Sequence, residues 1–381
     1  MTTNIRYIGV NDHDIDLFEG QYTVPNGMAY NSYVILDEKI AVLDTVDIRK
    51  CDGYFANLES ALAGRTPDYL IVSHVEPDHA SSVKCFTQKY PSVKIVGNAK
   101  TFQFLANYFD LSASEQVVVK DGDTLDLGAH KLTFILAPMI HWPEVMMSYE
   151  STEKVLFSAD AFGKFGALDV DEDWDCEARR YYFNIVGKFG VQVQGLLKKA
   201  AGLEINTICP LHGPILTDAI PHALNLYQTW SSYGVETQGV FIAYASLYGN
   251  TRQAALKLKE LLEKRGCPKV AITDLAREDM AEALEDAFRY GKVVLAASSY
   301  NGSVMPFMED FLHHLKGKNY QKRTVALMEN GTWAPSAAKT MQALLEGMKG
   351  IAILEPVVTI RGALKETDLP ALEQLADELM K

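Results

Sequence analysis

No two of the five cysteines (Cys51, Cys85, Cys176, Cys209, Cys267) stand at C-x-x-C spacing. That excludes a disulfide frame and a cysteine-built zinc or iron–sulfur module. They read as reduced thiols. No apolar export segment follows Met1-Thr-Thr-Asn, so the expected compartment is the cytoplasm. No apolar run approaches membrane-spanning length. Positive charge is scarce: 36 Lys and Arg stand against 49 Asp and Glu, a net charge of −13. That argues against nucleic acid and anionic membrane surfaces as partners. Repeats and low-complexity linkers are also missing. What remains is an ordinary globular composition, 48% hydrophobic and 22% charged, over 381 residues, enough for two full-sized cores.

The densest chemistry lies in residues 69–80, Tyr-Leu-Ile-Val-Ser-His-Val-Glu-Pro-Asp-His-Ala. An apolar run from Tyr69 to Val72 reads as a strand, and His74, Glu76, Asp78 and His79 follow within six positions. A strand that ends in imidazoles and carboxylates aims several ligands at one point. Pro77 argues against a helix here. The alternation of His74, Glu76 and Asp78 then predicts an extended segment with all three on one side. Three more ligand-type residues lie just past apolar strands: His141 after Lys131–Leu136, Asp160 after Lys154–Phe157, and His212 after Ile205–Cys209. A lone loop histidine is usually only polar, and His13, His130, His222, His313 and His314 read that way. Repetition of the strand-end context makes the other set a metal site.

The first part of the chain holds many short strands with a few helices between them. These include a hairpin across Ser32–Leu36 and Ile40–Leu43 and helices over Tyr54–Ala63, about Ala80–Tyr90 and Ala99–Phe109. The pattern predicts a two-layer sheet with helices packed outside. From about residue 238 the pattern changes to five strands alternating with five helices, which predicts a doubly wound parallel sheet. The boundary is expected at Gln238-Gly239, giving domains 1–237 and 238–381. After the first strand of the second domain comes Ala245-Ser-Leu-Tyr-Gly-Asn-Thr-Arg. This is a phosphate loop opening a helix, with the hydroxyls of Ser246 and Thr251 and the backbone of Leu247, Tyr248, Gly249 and Asn250 as donors. It is neither a Walker A loop nor a G-x-G-x-x-G turn. Ser298-Ser299-Tyr300-Asn301-Gly302 and Asn330-Gly331-Thr332-Trp333-Ala334 follow the third and fourth strands, where this fold binds ligands.

On these residues the first 237 positions resemble a metallo-β-lactamase-like αββα sandwich, and the rest resembles a flavodoxin that holds FMN. The hydrolases of the first superfamily carry His-x-His-x-Asp-His and bind zinc. Here the motif is His74-x-Glu76-x-Asp78-His79. The exchange replaces a nitrogen ligand with a hard oxygen anion, giving four imidazoles and three carboxylates, a mixture closer to non-haem di-iron chemistry. Both halves together resemble the flavodiiron proteins. The resemblance implies that His74, Glu76 and His141 hold one iron, that Asp78, His79 and His212 hold the other, and that Asp160 bridges them. It places Tyr300 and Trp333 against the flavin ring, and Tyr181 or Tyr182 near the irons. Some members carry a histidine in the segment matching Pro25-Asn26-Gly27, and this chain does not.

The implied activity is reduction of O₂ to water, of NO to N₂O, or of both. With no rubredoxin-like four-cysteine module in the sequence, electrons are expected from an external donor, rubredoxin or a reduced deazaflavin. A head-to-tail homodimer or a dimer of dimers is expected by the same resemblance. Two competing readings are a zinc hydrolase fused to a flavodoxin-like domain, which Glu76 opposes, and a non-catalytic electron carrier or gas sensor.

Overall fold

Apolar triplets such as Ala41-Val-Leu, Tyr69-Leu-Ile and Val155-Leu-Phe are buried at every position. A strand without an alternating polar face must be covered on both sides, and these form the centres of two sheets. The computed structural model describes residues 4–381. Its contacts divide it into two units: residues up to Tyr182 with Val191–Gln228, and Phe183–Gly190 with Thr229–Lys381.

The first unit contains a six-stranded sheet in the order Ile5–Tyr7, Tyr33–Ile35, Ala41–Leu43, Tyr69–Ile71, Lys94–Gly97 and Glu115–Val118. A five-stranded sheet runs Thr124–Asp126, Lys131–Leu136, Met146–Glu150, Val155–Phe157 and Thr207–Cys209. The inner faces meet in one core that includes Tyr33, Leu43, Ile71, Val96, Phe134, Met146, Phe157 and Cys209. Two short hairpin-like pairs, Val10–Asp12 with Met28–Tyr30 and Leu17–Phe18 with Tyr22–Thr23, lie outside both sheets. Helices Cys51–Leu62, Val83–Lys89 and Ala99–Tyr108 alternate with the parallel strands of the first sheet. The last of them starts on a capping box, with the Asn98 side chain accepting from Lys100 N and Thr101 N.

The second unit is a parallel sheet in the order Val270–Asp274, Thr237–Ala245, Tyr290–Tyr300, Thr324–Asn330 and then a split fifth strand. In order of appearance this is 2-1-3-4-5, the doubly wound flavodoxin-like arrangement. The fifth strand is two short pieces, Ala352–Ile353 and Val358–Ile360, both paired to Thr324–Asn330. Pro356 falls between them and has no N–H for the ladder. One face of the sheet buries Ile242, Leu258, Leu262, Val294, Met328, Leu372 and Leu379.

The single cut expected at residue 238 differs from the units the contacts define. Phe183 stacks on Phe288 with centroids 4.2 Å apart, and the Asn184 amide donates to Ala281 O at 3.2 Å. These contacts group residues 183–190 with the later segment. No described helix is long and apolar enough to cross a membrane.

Candidate metal centre and flavin site

The ligand-type residues of the first unit collect where the sequence pattern aims them, beyond the carboxyl ends of four strands. Two sets emerge: His74, Glu76, His141 and Asp160, and Asp78, His79 and His212. Within each set the donor atoms lie within 4.8 Å of one another. Asp160 faces both. Its Oδ2 is 3.1 Å from His141 Nε2 and 3.5 Å from His74 Nε2, while Oδ1 is 3.3 Å from His79 Nε2. Glu76 Oε2 lies 3.0 Å from His141 Nε2, and Asp78 Oδ2 lies 3.2 Å from both His79 and His212 Nε2. All seven side chains are buried.

One local expectation is corrected. Asp78 and His79 do not continue an extended segment; they sit in a single helical turn, Pro77–Ala80, with Pro77 as its first residue. Proline at that position gives up an N–H that has no intrahelical partner anyway, so it starts the turn rather than forbidding it. The turn lets His79 face His212 while Glu76 stays with His141. It is pinned from outside by Thr45, whose hydroxyl and backbone N–H both reach His79 O, at 2.6 and 3.1 Å.

The orientation of the imidazoles identifies what they hold. His74 Nδ1 is 2.8 Å from Glu144 Oε1, and His212 Nδ1 is 2.8 Å from Ala29 O. Each Nδ1–H therefore donates outward, and each Nε2 presents a lone pair inward. Those lone pairs meet other ring nitrogens: His74 Nε2 to His141 Nε2 is 3.3 Å, and His79 Nε2 to His212 Nε2 is 3.0 Å. Asp78 has both oxygens, and Asp160 one, buried without a hydrogen-bond partner. Ring nitrogens and carboxylate oxygens packed this closely form a donor set that suits bound cations. The hard-oxygen and imidazole mixture fits a pair of iron ions.

The electrostatics say the same. Burial alone lowers the pKa of His141, but hydrogen bonds to Asp160 and Glu76 and the Glu76 charge outweigh it and hold the imidazole up at about 9. Burial raises Asp160, yet the field of His74 and the contacts of His141 and His79 hold it well below the usual range. The pocket is a sink for positive charge.

Several functional residues carry no mark in the sequence. Glu144 stands inside Ile-His-Trp-Pro-Glu and binds both His74 Nδ1 and Val75 N. Asp44 accepts from Ser73 N at 2.7 Å, fixing the backbone before the first ligand. Tyr30 and Arg49 line, with Glu19, Asp47, Glu76 and Asp78, a cavity of about 270 Å³ that opens onto the two acidic ligands. Tyr181 packs against His212, 5.5 Å between ring centroids, and its buried hydroxyl has no partner. Tyr182 turns instead onto Tyr227, 5.1 Å between centroids.

In the second unit a cavity of about 460 Å³ is lined by Leu247, Tyr248, Asn250, Thr251, Ser298, Ser299, Tyr300, Asn301, Gly302, Asn330, Gly331, Thr332, Trp333, Ala334 and Gly362. Gly249 takes φ +88° and the helix Asn250–Lys264 starts without a side-chain cap. Its first N–H groups are thus free for an anion, which suits the phosphate of FMN. Ser246 and Gly249 do not line this cavity; they line a second one of about 560 Å³ that shares Leu247 and Tyr248 with it. Thr251 and Ser298 hydroxyls are 2.8 Å apart. Asn301 and Gly302, at φ +49° and +72°, make the two-residue turn between Tyr290–Tyr300 and Ser303–Val304. A side chain at Gly331 would meet Pro335 Cα at 2.7 Å. Gly362, whose N–H donates to Asn330 Oδ1 at 3.1 Å, comes from a loop that sequence reasoning did not reach. Trp333 is 88% exposed, a broad aromatic face at the cavity rim.

A metallo-β-lactamase-like metal edge followed by a flavin-type sheet defines a class of two-domain redox proteins. Residues 28–213 match the family described as ODP family beta lactamase, and residues 241–375 match a flavodoxin domain. The chain is 29% identical over 357 residues to the anaerobic nitric oxide reductase flavorubredoxin of Citrobacter koseri, covering 90% of this chain and 73% of that one. It is 28% identical over 372 residues to an uncharacterized protein of Methanocaldococcus jannaschii, covering 96% and 93%. The structure matches the flavodiiron protein from Giardia intestinalis with a TM-score of 0.91, 25% identity and coverage of 100% and 96%. It matches the rubredoxin oxygen:oxidoreductase of Desulfovibrio gigas equally, with a TM-score of 0.91, 26% identity and the same coverage. The chain belongs to the flavodiiron protein family. It is an oxidoreductase whose cofactors are FMN and a di-iron centre.

Proposed function

We propose that this protein reduces O₂ to water, NO to N₂O, or both, using electrons relayed through FMN from an external donor. The observation that carries the reading is the double ligand set joined by Asp160. His74, Glu76 and His141 would hold one iron and Asp78, His79 and His212 the other, with Asp160 facing both sets. When bound, the two irons would supply two electrons and the Lewis acidity that binds a diatomic gas. The chain's own groups supply the rest. Glu144 and Ala29 O keep Nε2 of His74 and His212 turned inward. Phe18, Trp142 and Tyr181 pack apolar ring faces and edges around the imidazoles. The Tyr181 hydroxyl is the candidate donor of a hydrogen bond or proton. The phosphate loop Ser246–Thr251 and the loops at 298–302 and 330–334 hold FMN, with Tyr300 and Trp333 at the ring.

The donor is proposed to be rubredoxin or a similar small carrier, or a reduced deazaflavin. Relatives named flavorubredoxin and rubredoxin oxygen:oxidoreductase support the first choice. A head-to-tail homodimer or dimer of dimers is proposed by the same likeness, and exposed aromatics at the flavin rim, Tyr248 and Trp333, support it. Five free thiols fit a reducing compartment, the cytoplasm.

The test is anaerobic stopped-flow of the reduced protein with each gas in turn, beside the variants Glu76→Ala and Asp160→Ala. Wild type is expected to reoxidise within turnovers. Both variants are expected to keep FMN but lose iron and at least about 100-fold in turnover, as for removal of a group acting directly on the reacting centre. Zinc without iron in the wild type, or undiminished turnover in the variants, would overturn the reading.

A further inference from the structure

The histidines of the two ligand sets are backed differently, and the difference is one of charge. Behind His74 stands the buried Glu144. Its Oε1 accepts from His74 Nδ1 at 2.8 Å and from Val75 N at 2.9 Å. Two N–H donors on one oxygen favour the carboxylate form. The Asn98 amide donates to Glu144 O at 2.6 Å, and the same Asn98 caps helix Ala99–Tyr108. The acid is therefore fixed through its backbone as well as its side chain. Among the described residues the other set is backed without an acid. His212 Nδ1 donates to a neutral carbonyl, Ala29 O, at 2.8 Å, and the buried His79 Nδ1 has no hydrogen-bond partner. Asp44, the other buried acid behind this strand, reaches the backbone N–H groups of Ser73 and His74. Each set has one carboxylate of its own, Glu76 or Asp78, and one oxygen of Asp160 faces each. Glu144 is what makes the two sets unequal.

We propose that Glu144 is a positioning residue that sets the order in which the two irons accept electrons. A carboxylate bonded to the far nitrogen of a metal-bound imidazole makes that imidazole a stronger donor. Negative charge beside an iron favours its ferric state. The iron of His74, Glu76 and His141 is thus the harder of the two to reduce. The first electron reaching the oxidised pair goes to the iron of Asp78, His79 and His212, which passes from ferric to ferrous. The second electron reduces the iron in front of Glu144. Each step takes one electron from the external donor and breaks no bond. The half-reduced pair therefore has a fixed orientation, ferrous on the Asp78 side and ferric on the Glu76 side. This inference rests on the ligand assignment under the proposed function.

The experiment is an anaerobic potentiometric titration of the iron- and FMN-loaded protein, followed by low-temperature electron paramagnetic resonance. Only the half-reduced pair carries a half-integer spin, so its signal rises with the first electron and falls with the second. The comparison is with Glu144→Gln, which keeps an oxygen to accept from His74 and Val75 but removes the charge. Its falling edge is expected to move to higher potential, and its rising edge to move less. The equilibrium constant for forming half-reduced pairs from oxidised and reduced ones is expected to drop about fivefold. Glu144→Asp, which keeps the charge, is expected to stay closer to wild type. An equal shift of both edges, a larger shift of the rising edge, or no shift would overturn the proposal, as would a wild type that passes through no half-reduced state. Loss of iron from Glu144→Gln would assign Glu144 to holding the metal and overturn it too. Zinc in place of iron in the wild type would instead sink the ligand assignment beneath it.

Discussion

Tyr181 separates structural from chemical roles at the level of one atom. Its hydroxyl is buried without a partner, and that burial, with the charges of Asp160, Glu76 and Asp78 adding to it, pushes its pKa well above the usual value. The group therefore stays a neutral O–H donor. A buried hydroxyl without a hydrogen bond contributes little to stability, and its removal is neutral or stabilising. Tyr181→Phe is expected to keep iron, FMN and melting temperature, yet lose about 100-fold in turnover, at the low end of what a positioned proton donor supplies. Steady-state gas consumption beside metal and flavin analysis checks this; unchanged turnover would assign Tyr181 to packing alone. The residues that orient the site were less legible than its ligands. His74, His141, Asp160 and His212 announce themselves as ligand chemistry at strand ends. Glu144 and Asp44 do not, because their partners lie 70 and 29 positions away, and only the fold brings them together.

The elements show the same division. Parallel strands with alternating helices have a strong period, so the second unit was legible almost whole; the split at Pro356 was the exception. In the first unit Pro77 misled, since the same residue both breaks helices and begins them, and the tertiary contact of Thr45 decides which. Loop 160–172 is another case that pattern does not reveal. Lys164 is nearly buried, donates to Phe165 O at 2.9 Å and pairs with Glu172, which also accepts from the Asn26 amide at 2.8 Å. That chain of contacts ties the segment carrying Asp160 to residues 23–27. Glu172→Ala leaves an unpaired buried ammonium, and the expected cost is about 3–5 kcal/mol. Thermal unfolding of the iron-loaded protein measures it, and iron retention is expected to fall in parallel. Glu172→Gln keeps one oxygen to accept from Lys164, loses the contact accepted from Asn26, and is expected to cost less than the alanine. At the opposite edge of the same unit, the turn at His130 meets the hairpin turn at Asp37, with His130 Nδ1 2.7 Å from Asp37 Oδ2. Burial lowers the His130 pKa, but hydrogen bonds to Asp37 and Glu153 outweigh it and raise it above the ordinary value. Burial raises Asp37, and bonds from His130 outweigh that and bring it down to about 2. The histidine's contribution is full below its unfolded pKa of about 6.5 and is lost as pH rises through the higher folded value. The aspartate's is present above about 3.9 and is lost as pH falls towards its folded pKa. The link between the sheets is therefore strongest at mildly acid pH. Wild type is expected to lose more melting temperature than His130→Gln between pH 6 and pH 9; parallel curves would show that the pair contributes nothing.

The whole chain combines two redox sites that the fold builds from separate units, and this has a countable consequence. The ligands of the metal centre all come from residues 74–212, and the lining of the flavin cavity all comes from residues 247–362. Among the described residues no side chain serves both. Removing iron with a chelator under reducing conditions therefore leaves the flavin cavity with every group that lines it, and FMN is expected to stay bound. Reduced FMN stores two electrons and a di-iron centre stores two as it passes from the diferric to the diferrous state. Anaerobic dithionite titration is expected to take up four electrons per chain in the loaded protein and two in the iron-free form, followed by the flavin absorbance. The iron-free form should also fail to consume either gas at the rate of the loaded form, because a reduced flavin alone has no position at which Asp160 and the imidazoles can act. Four-electron uptake without iron would mean a redox group outside these two sites. Loss of FMN with the iron would mean that the two sites depend on each other in a way their linings do not require. A two-electron form that still turned over O₂ or NO at the loaded rate would move the chemistry from the metal edge to the flavin, and with it the role assigned to Glu76.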